Sequence, residues 1–332
     1  VAHSDDAGMR RLFATVVCYV CCSCPAVADD PFLESFQLRS HNPFIQIYGL
    51  PALQTAALAS PGGFLVGISV DITNDADDSE SNGDQLIIDG ESTTIVLSVR
   101  RRVHERLELG IDVPYVQHSG GNLDGFIKDW HSMLGLSNSR RTGPNDQLRH
   151  TYIRDGATLF SLDSSVSGIG DVQLSAAIPI GNLTLRAAVK LPTGDPDKLT
   201  GSGATDVSLG VYGSRVYTFR ERDVSLSGFV GALALGDGDV LPELQRSFVP
   251  FGGVALRWQA TGKFGLAAQL SMQGSYFDTH FEEIGGNTIQ LGVGADYRAG
   301  NFLWRLAIAE DLNGSATADF GMQLSVRYAA AR

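Results

Sequence analysis

The chain alternates apolar and polar residues with a period of two over long stretches. In "FLVGISVDIT" (64–73), Phe64, Val66, Ile68, Val70 and Ile72 share one face, and Leu65, Gly67, Ser69, Asp71 and Thr73 share the other. Successive side chains of an extended backbone point to opposite sides, so this rhythm predicts a strand. It returns at 107–115, 183–191 and 289–297, and in "FGMQLSVRY" (320–328). Twelve segments follow it: 62–74, 90–100, 105–117, 168–180, 182–192, 204–217, 222–236, 246–260, 264–277, 286–298, 301–311 and 318–328. Strands of soluble sheets average roughly 5–6 residues. Most of these run to about 10–14, enough for a tilted strand to cross a bilayer, which takes about 9–11.

The connections carry a second pattern. "RRVHER", "IGN", "TFRERD", "ATGK" and "RAGN" are short and alternate with long ones: "NDADDSESNGDQ", residues 118–167, "PTGDPDKLTGSGA", "GDGDVLPELQ", "DTHFEEIGGN" and "NGSATA". A membrane barrel has short turns at its periplasmic end and longer loops outside. Together the patterns predict an all-β, antiparallel up-and-down membrane barrel of about 12 strands. Fourteen is the alternative, with 43–49 and 151–160 as the added pair. Tyr297, Phe302, Trp304 and Tyr328 fall near short-turn ends, and Tyr115 and Tyr276 near long-loop ends, where interfacial aromatics belong.

If the apolar faces meet lipid, the opposite faces line a lumen. Those positions include Glu108, Asp112, Asp171, Arg186, Lys190, Asp206, Asp296 and Arg305. The set carries both signs, so it either pairs up and closes the interior or lines a narrow wet path. Eight strands leave a filled interior and sixteen to eighteen an open one. Twelve lies between.

Residues 118–167 break the rhythm. Leu123, Phe126, Ile127, Trp130, Met133 and Leu134 follow helical spacing, which predicts a short amphipathic helix in an outer loop. Asp124, Asp129, Trp130 and His131 are the candidate functional residues there. Arg140, Arg141 and Arg149 follow as a small basic cluster suited to lipopolysaccharide phosphates or to plain loop solvation. His131 beside Asp124 or Asp129 has the makings of a base and its orienter. No G-x-S-x-G motif accompanies it, and the plainer reading is a solvated histidine. "LPTGDPDKLTGSGATD" (191–206) lacks the spacing and the following helix of a phosphate loop. "DADDSESNGD" lacks calcium-loop register. We therefore expect no catalytic residue, metal or cofactor.

Composition adds location. All four cysteines sit in "CYVCCSC" (18–24), inside the apolar run Leu12 to Cys22, after Arg10 and Arg11 and before "AVA" at 26–28. That reads as a cleaved signal peptide over 1–28. Residues 29–61 then form an N-terminal segment, periplasmic or plugging, and 62–332 the barrel. A formal charge of −12 argues against nucleic acid as a partner. Outer-membrane lipid, lipopolysaccharide and a small solute are the expected partners.

"NPFIQIYGLP" (42–51), "DGES" (89–92), "GGNLDGFIKDWHSMLGL" (120–136), "GIGDVQL" (168–174) and "KLPTGD…LTGSGATD" (190–206) together resemble an uncharacterised bacterial outer-membrane family, domain of unknown function 3187. The resemblance implies a Gram-negative outer-membrane barrel and no assigned activity. From the residues themselves, the leading expectation is a narrow channel or binding barrel for a small solute. A structural barrel that contacts lipopolysaccharide or a partner protein is the alternative, and a lipid hydrolase the second.

Overall fold

The computed structural model describes residues 36–38, 42–122, 125, 146–312 and 320–330. Among these, fifteen strands form one sheet. They are β1 (Phe64–Ser81), β2 (Asp84–His104), β3 (Leu107–Ser119), β4 (Arg149–Arg154), β5 (Ala157–Leu162), β6 (Val166–Ile169), β7 (Gln173–Ile180) and β8 (Leu183–Lys190). Then come β9 (Asp206–Phe219), β10 (Arg222–Ala234), β11 (Phe248–Trp258), β12 (Phe264–Gln273), β13 (Thr288–Ala299), β14 (Phe302–Asp311) and β15 (Phe320–Ala330). Each ring strand pairs antiparallel with its sequence neighbour, and β15 closes on β1 from Phe64↔Ala330 to Asn74↔Phe320. β6 and β7 share one place beside β3, while β4 and β5 stand outside the ring, which leaves a closed barrel of twelve strands. Closure matters because lipid offers no partner to an unpaired strand edge.

The period-two register sorts side chains as the lipid demands. Ile68, Leu97, Leu109, Leu209, Leu266 and Leu306 are each roughly half exposed on the outer face, whereas Ser69, Asp71, Thr94, Glu108, Ser208 and Gln269 are buried inside. At the short-turn end, Phe302 packs against Tyr328 and Phe264 against Tyr297, with ring centroids 5.0 and 4.8 Å apart. Tyr276 departs from its expected place in the outer girdle. It is fully buried and stacks on Tyr48 at 5.2 Å, inside the barrel's outer half.

Two long connections hold strand where loop was expected. "NDADDSESNGDQ" continues β1 and β2 as a hairpin well past the ring, from Asp75↔Gly90 to Ser81↔Asp84. Asn82 and Gly83 turn it at φ 54° and 88°, the pair of positive dihedrals that a two-residue hairpin turn requires. Within 118–167, β4 and β5 form a second hairpin turned by Asp155 and Gly156, and β4 pairs with the extended part of β2. The 151–160 stretch is thus strand, but in a lid outside the ring. Residues 43–49 are a turn and no strand, so fourteen ring strands are not formed. The helix expected around 123–134 lies outside the described residues. Among the described residues a one-turn helix, α1 (Glu282–Gly285), sits between β12 and β13, and a 3-10 turn covers Pro196–Lys198 between β8 and β9.

Between β6 and β7 the strand is broken opposite Pro114, which has no N–H to offer the ladder. Tyr115 pairs with Ile169 and Asp112 with Gln173, so residues 170–172 face only two residues of β3. This bulge turns the Asp171 carboxylate inward. There it accepts bonds from the N–H of Gly194 (2.8 Å) and of Ser202 (3.0 Å). The loop after β8 therefore folds over the break. Gly201 is required at the contact, since a Cβ there would stand 2.3 Å from Asp171 Oδ1.

The lumen is occupied by the chain ahead of β1. Phe36 and Leu38 lie against Gly294 and Gly292 in the middle of β13. Asn42 then starts a turn near the outer end, taking the N–H of Phe44 on its own side chain and donating to the Glu283 carbonyl. From there the segment descends to Ala59, beside Glu108 near the opposite, short-turn end. The largest buried core gathers around its upper part, where Phe44, Ile45 and Tyr48 meet Leu86, Tyr152, Leu199 and Phe281 of the outer hairpins and loops.

Candidate functional site

The inward faces of β3, β7, β8 and β9 grip residues 47–59 mostly by the main chain. Lys190 stands at the centre of the upper contact. Its Nζ lies 2.6 Å from Asp171 Oδ2 and 3.1 Å from Asp206 Oδ2, and it donates to the Ser202 hydroxyl and, at 3.1 Å, to the Ile47 carbonyl. Asp206 accepts the Gly49 N–H at 2.9 Å, and Gln173 donates to the Gly49 carbonyl at 3.0 Å. Glycine at 49 suits this close approach, because a Cβ would lie 3.0 Å from Lys190 Cβ and 3.1 Å from Asp206 Cβ and both would have to give way by a few tenths of an ångström.

The lower contact is built the same way. Arg186 donates to Glu108 at 2.9 Å, to the Thr55 carbonyl at 3.1 Å and to the Ala57 carbonyl at 2.8 Å. Glu108 also accepts the Ala59 N–H at 2.6 Å. Thr184 donates to the Ala56 carbonyl, and Ser214 accepts the Ala56 N–H at 3.0 Å. The Arg186 guanidinium lies 5.7 Å from the Tyr212 ring, which adds a cation–π contact.

All eight lumen candidates from the sequence are buried inside the barrel. The structure joins Glu108 with Arg186, and Lys190 with both Asp171 and Asp206. Asp296 takes a partner that the sequence reading left out: Arg257 on β11 binds it through two N–H groups at 2.6 and 2.7 Å. Parity alone would have found it, since Arg257 follows the outward Leu256. Asp112 faces Arg100 at 3.9 Å, and Arg305 sits opposite Asp296 in the β13–β14 register. Between the resident segment and β1–β3 a cavity of about 60 Å³ remains, edged by Gln46, Asp71, Thr94, Gln173 and Lys190. It has room for a few waters and no larger solute.

A second cluster ties the outer hairpins to the segment. His118 on β3 exchanges a 2.8 Å hydrogen bond with Ser92 and lies 3.2 Å from the Leu199 carbonyl. His150 on β4 meets His118 edge-on at 5.6 Å and Phe44 at 6.5 Å, with the Arg149 backbone as the polar group beside its ring. Burial holds the His150 imidazole well below its ordinary pKa, and the neighbouring His118 pushes the same way. Ser92 and His118 are both sealed from solvent, so their bond fastens three elements together and presents no nucleophile. Asp124, Asp129, Trp130, His131, Arg140 and Arg141 lie outside the described residues. No group of three metal-binding side chains occurs among the described residues.

Sequence reasoning missed the grip itself. "LPALQTAALA" carries few polar side chains and no period, because the lumen holds it by backbone groups that every residue shares.

Among solved structures, the COG4313 outer membrane channel from Pseudomonas putida F1 matches over 82% of this chain and 97% of its own, at 17% identity and a TM-score of 0.50. The translocator domain of autotransporter NalP from Neisseria meningitidis matches over 81% and 88%, at 12% identity and 0.42. The toluene transporter TodX from P. putida matches over 82% and 91%, at 12% and 0.39. The first shares the barrel fold; the other two scores carry no weight. No curated protein matches the sequence. The family model described as protein of unknown function (DUF3187) matches residues 12–330, and with its closed twelve-stranded outer-membrane barrel the chain belongs to that family.

Proposed function

We propose that the protein is an outer-membrane channel for a small solute, held shut by its own residues 42–59. The observation that carries this is the grip on the segment. Buried polar and charged groups of the wall are spent on a segment of main chain that is joined to the barrel only where it runs into β1. A barrel with a purely structural role would fill its interior with side chains from the wall. The COG4313 protein, which shares the fold, is described as a channel and supports the reading in kind. Residues 1–28 direct export and are removed, and the outer loops, Arg140 and Arg141 among them, meet lipopolysaccharide.

Gly49→Leu tests the proposal. The new side chain has no room between Lys190 and Asp206, so it drives the segment off the wall while every wall residue stays. Reconstituted in a planar bilayer, the variant is expected to show stable conductance steps where the parent chain is mostly silent. Silence from a folded Gly49→Leu barrel would refute the channel and leave the structural barrel.

A further inference from the structure

The wall contacts have a chemistry of their own, whatever moves through the barrel. Lys190, Gln173, Arg186 and Thr184 donate to the carbonyls of Ile47, Gly49, Thr55, Ala56 and Ala57. Asp206, Ser214 and Glu108 accept the N–H groups of Gly49, Ala56 and Ala59. Donors and acceptors are interleaved down the lumen over a dozen residues, a reach of at most about 40 Å for an extended chain. A sugar or an ion would satisfy one cluster and leave the others unpaired. A polypeptide satisfies them all, as the resident segment does while turning at Tyr48–Leu50, because its amides repeat both groups at every residue. Gly49, Ala52, Ala56, Ala57 and Ala59 are small, which lets the backbone approach the wall closely.

The charged members are also paired with one another, Arg186 with Glu108 and Lys190 with Asp171 and Asp206. Two cations against three carboxylates leave one formal negative charge at most, so the wall offers directed hydrogen bonds that suit a neutral main chain better than an anionic solute. Main-chain bonding gives affinity with little demand on side-chain sequence.

We infer that the lumen wall is a binding site for a peptide main chain, with residues 47–59 as its resident occupant and linear peptides of small residues as the ligand class. The inference deepens the plugged-channel reading by naming what the wall recognises. The resident segment competes at the high effective concentration of a tethered ligand, in the millimolar range for a short flexible tether. Binding from solution therefore requires the segment to be displaced.

The experiment uses the full-length chain carrying Gly49→Leu, with Ala56→Arg as a second displacing variant. Both changes lie in the resident segment and leave the barrel wall intact. The probe is a fluorescein-labelled synthetic peptide, QIYGLPALQTAALA, with the sequence of residues 46–59. Its partner is the same peptide N-methylated at the positions of Gly49, Ala56 and Ala59, which removes the donors that reach Asp206, Ser214 and Glu108. Fluorescence anisotropy should show saturable binding of the parent peptide to both variants, at least tenfold weaker binding to the wild-type chain, and at least tenfold weaker binding of the methylated peptide. Equal binding of the two peptides would overturn the inference. So would absence of binding to both variants in their folded form, whether or not they conduct. Conductance without peptide binding keeps the channel and removes this ligand class. Peptide binding without conductance keeps the site and removes the channel.

Discussion

Lys190→Met removes the ammonium that holds the upper contact together while leaving a side chain of similar length. Asp171 and Asp206, both buried, would then face each other across the vacated position, and the Ile47 carbonyl would lose its donor. Breaking a buried ion pair from one side typically costs about 3–5 kcal/mol, because an uncompensated charge is left behind. Each carboxylate here keeps two backbone N–H donors, Gly194 and Ser202 on Asp171, and Gly49 and Gly236 on Asp206. The cost should therefore fall near the lower end, about 3 kcal/mol. Urea unfolding of the refolded protein in lipid, followed by tryptophan emission, measures it. Adding Asp206→Asn to Lys190→Met should recover more than about 1 kcal/mol, since the second change removes one stranded charge. A loss under about 1 kcal/mol for Lys190→Met alone would refute the placement of Lys190 between the two carboxylates. So would a double variant less stable than the single one.

Arg257→Met should cost about 3 kcal/mol by the same unfolding assay, near the lower end for a broken buried pair, because it removes two donors from the Asp296 carboxylate while Arg305 still faces it, and Asp296→Asn in the same chain should restore part of it. The lid should loosen in acid. Burial and the neighbouring His118 disfavour the charged His150 imidazole in the docked hairpin more than the Arg149 backbone supports it, so the charged form is favoured when β4 lifts away. Docking is then unaffected above the ordinary histidine pKa of about 6.5 and weakens below it, by up to about 1.4 kcal/mol per pH unit. Amide exchange across 150–153 between pH 7.5 and 5 reads this, with the nearby His118 and Arg149 kept in place, and His150→Phe should flatten the dependence. At the β1–β2 tip, Gly83→Val places a β-branched residue at φ 88° and should open the hairpin without touching the ring, seen as faster exchange of residues 79–86.

Most of the ring could be read from the sequence because lipid outside and polar groups inside impose a strict period of two on every strand. Where that contrast ends, so does the signal. β1 and β2 project beyond the membrane, and "DADDSES" is polar on both faces, so alternation vanishes although the backbone stays extended. The turn at Asn82–Gly83 was the surviving clue. The lumen acids and bases were legible as inward parity, but their partners were not, because pairing runs between strands that are distant in sequence, as from Arg257 to Asp296. The occupant of the lumen was the least visible part. An alanine-rich stretch held through its amides has no side-chain signature, and its role emerges only from the wall that surrounds it.

The path of that occupant decides how it would respond to force. Phe36 and Leu38 climb along β13, the chain turns at Asn42, and residues 47–59 descend to the short-turn end, where β1 begins. The described segment thus runs up along β13 and back down along the wall, so it can be drawn toward the short-turn end like a folded ribbon. Tension applied ahead of Phe36 would first strip the apolar contact with β13, then the Asn42 turn, and then the wall bonds one after another from Ile47 to Ala59. Bonds loaded in sequence yield at far lower force than the same bonds loaded together. A modest pull from the short-turn side would therefore unzip a closure that resists thermal opening, and pressure on the outer face would meet all of its bonds at once.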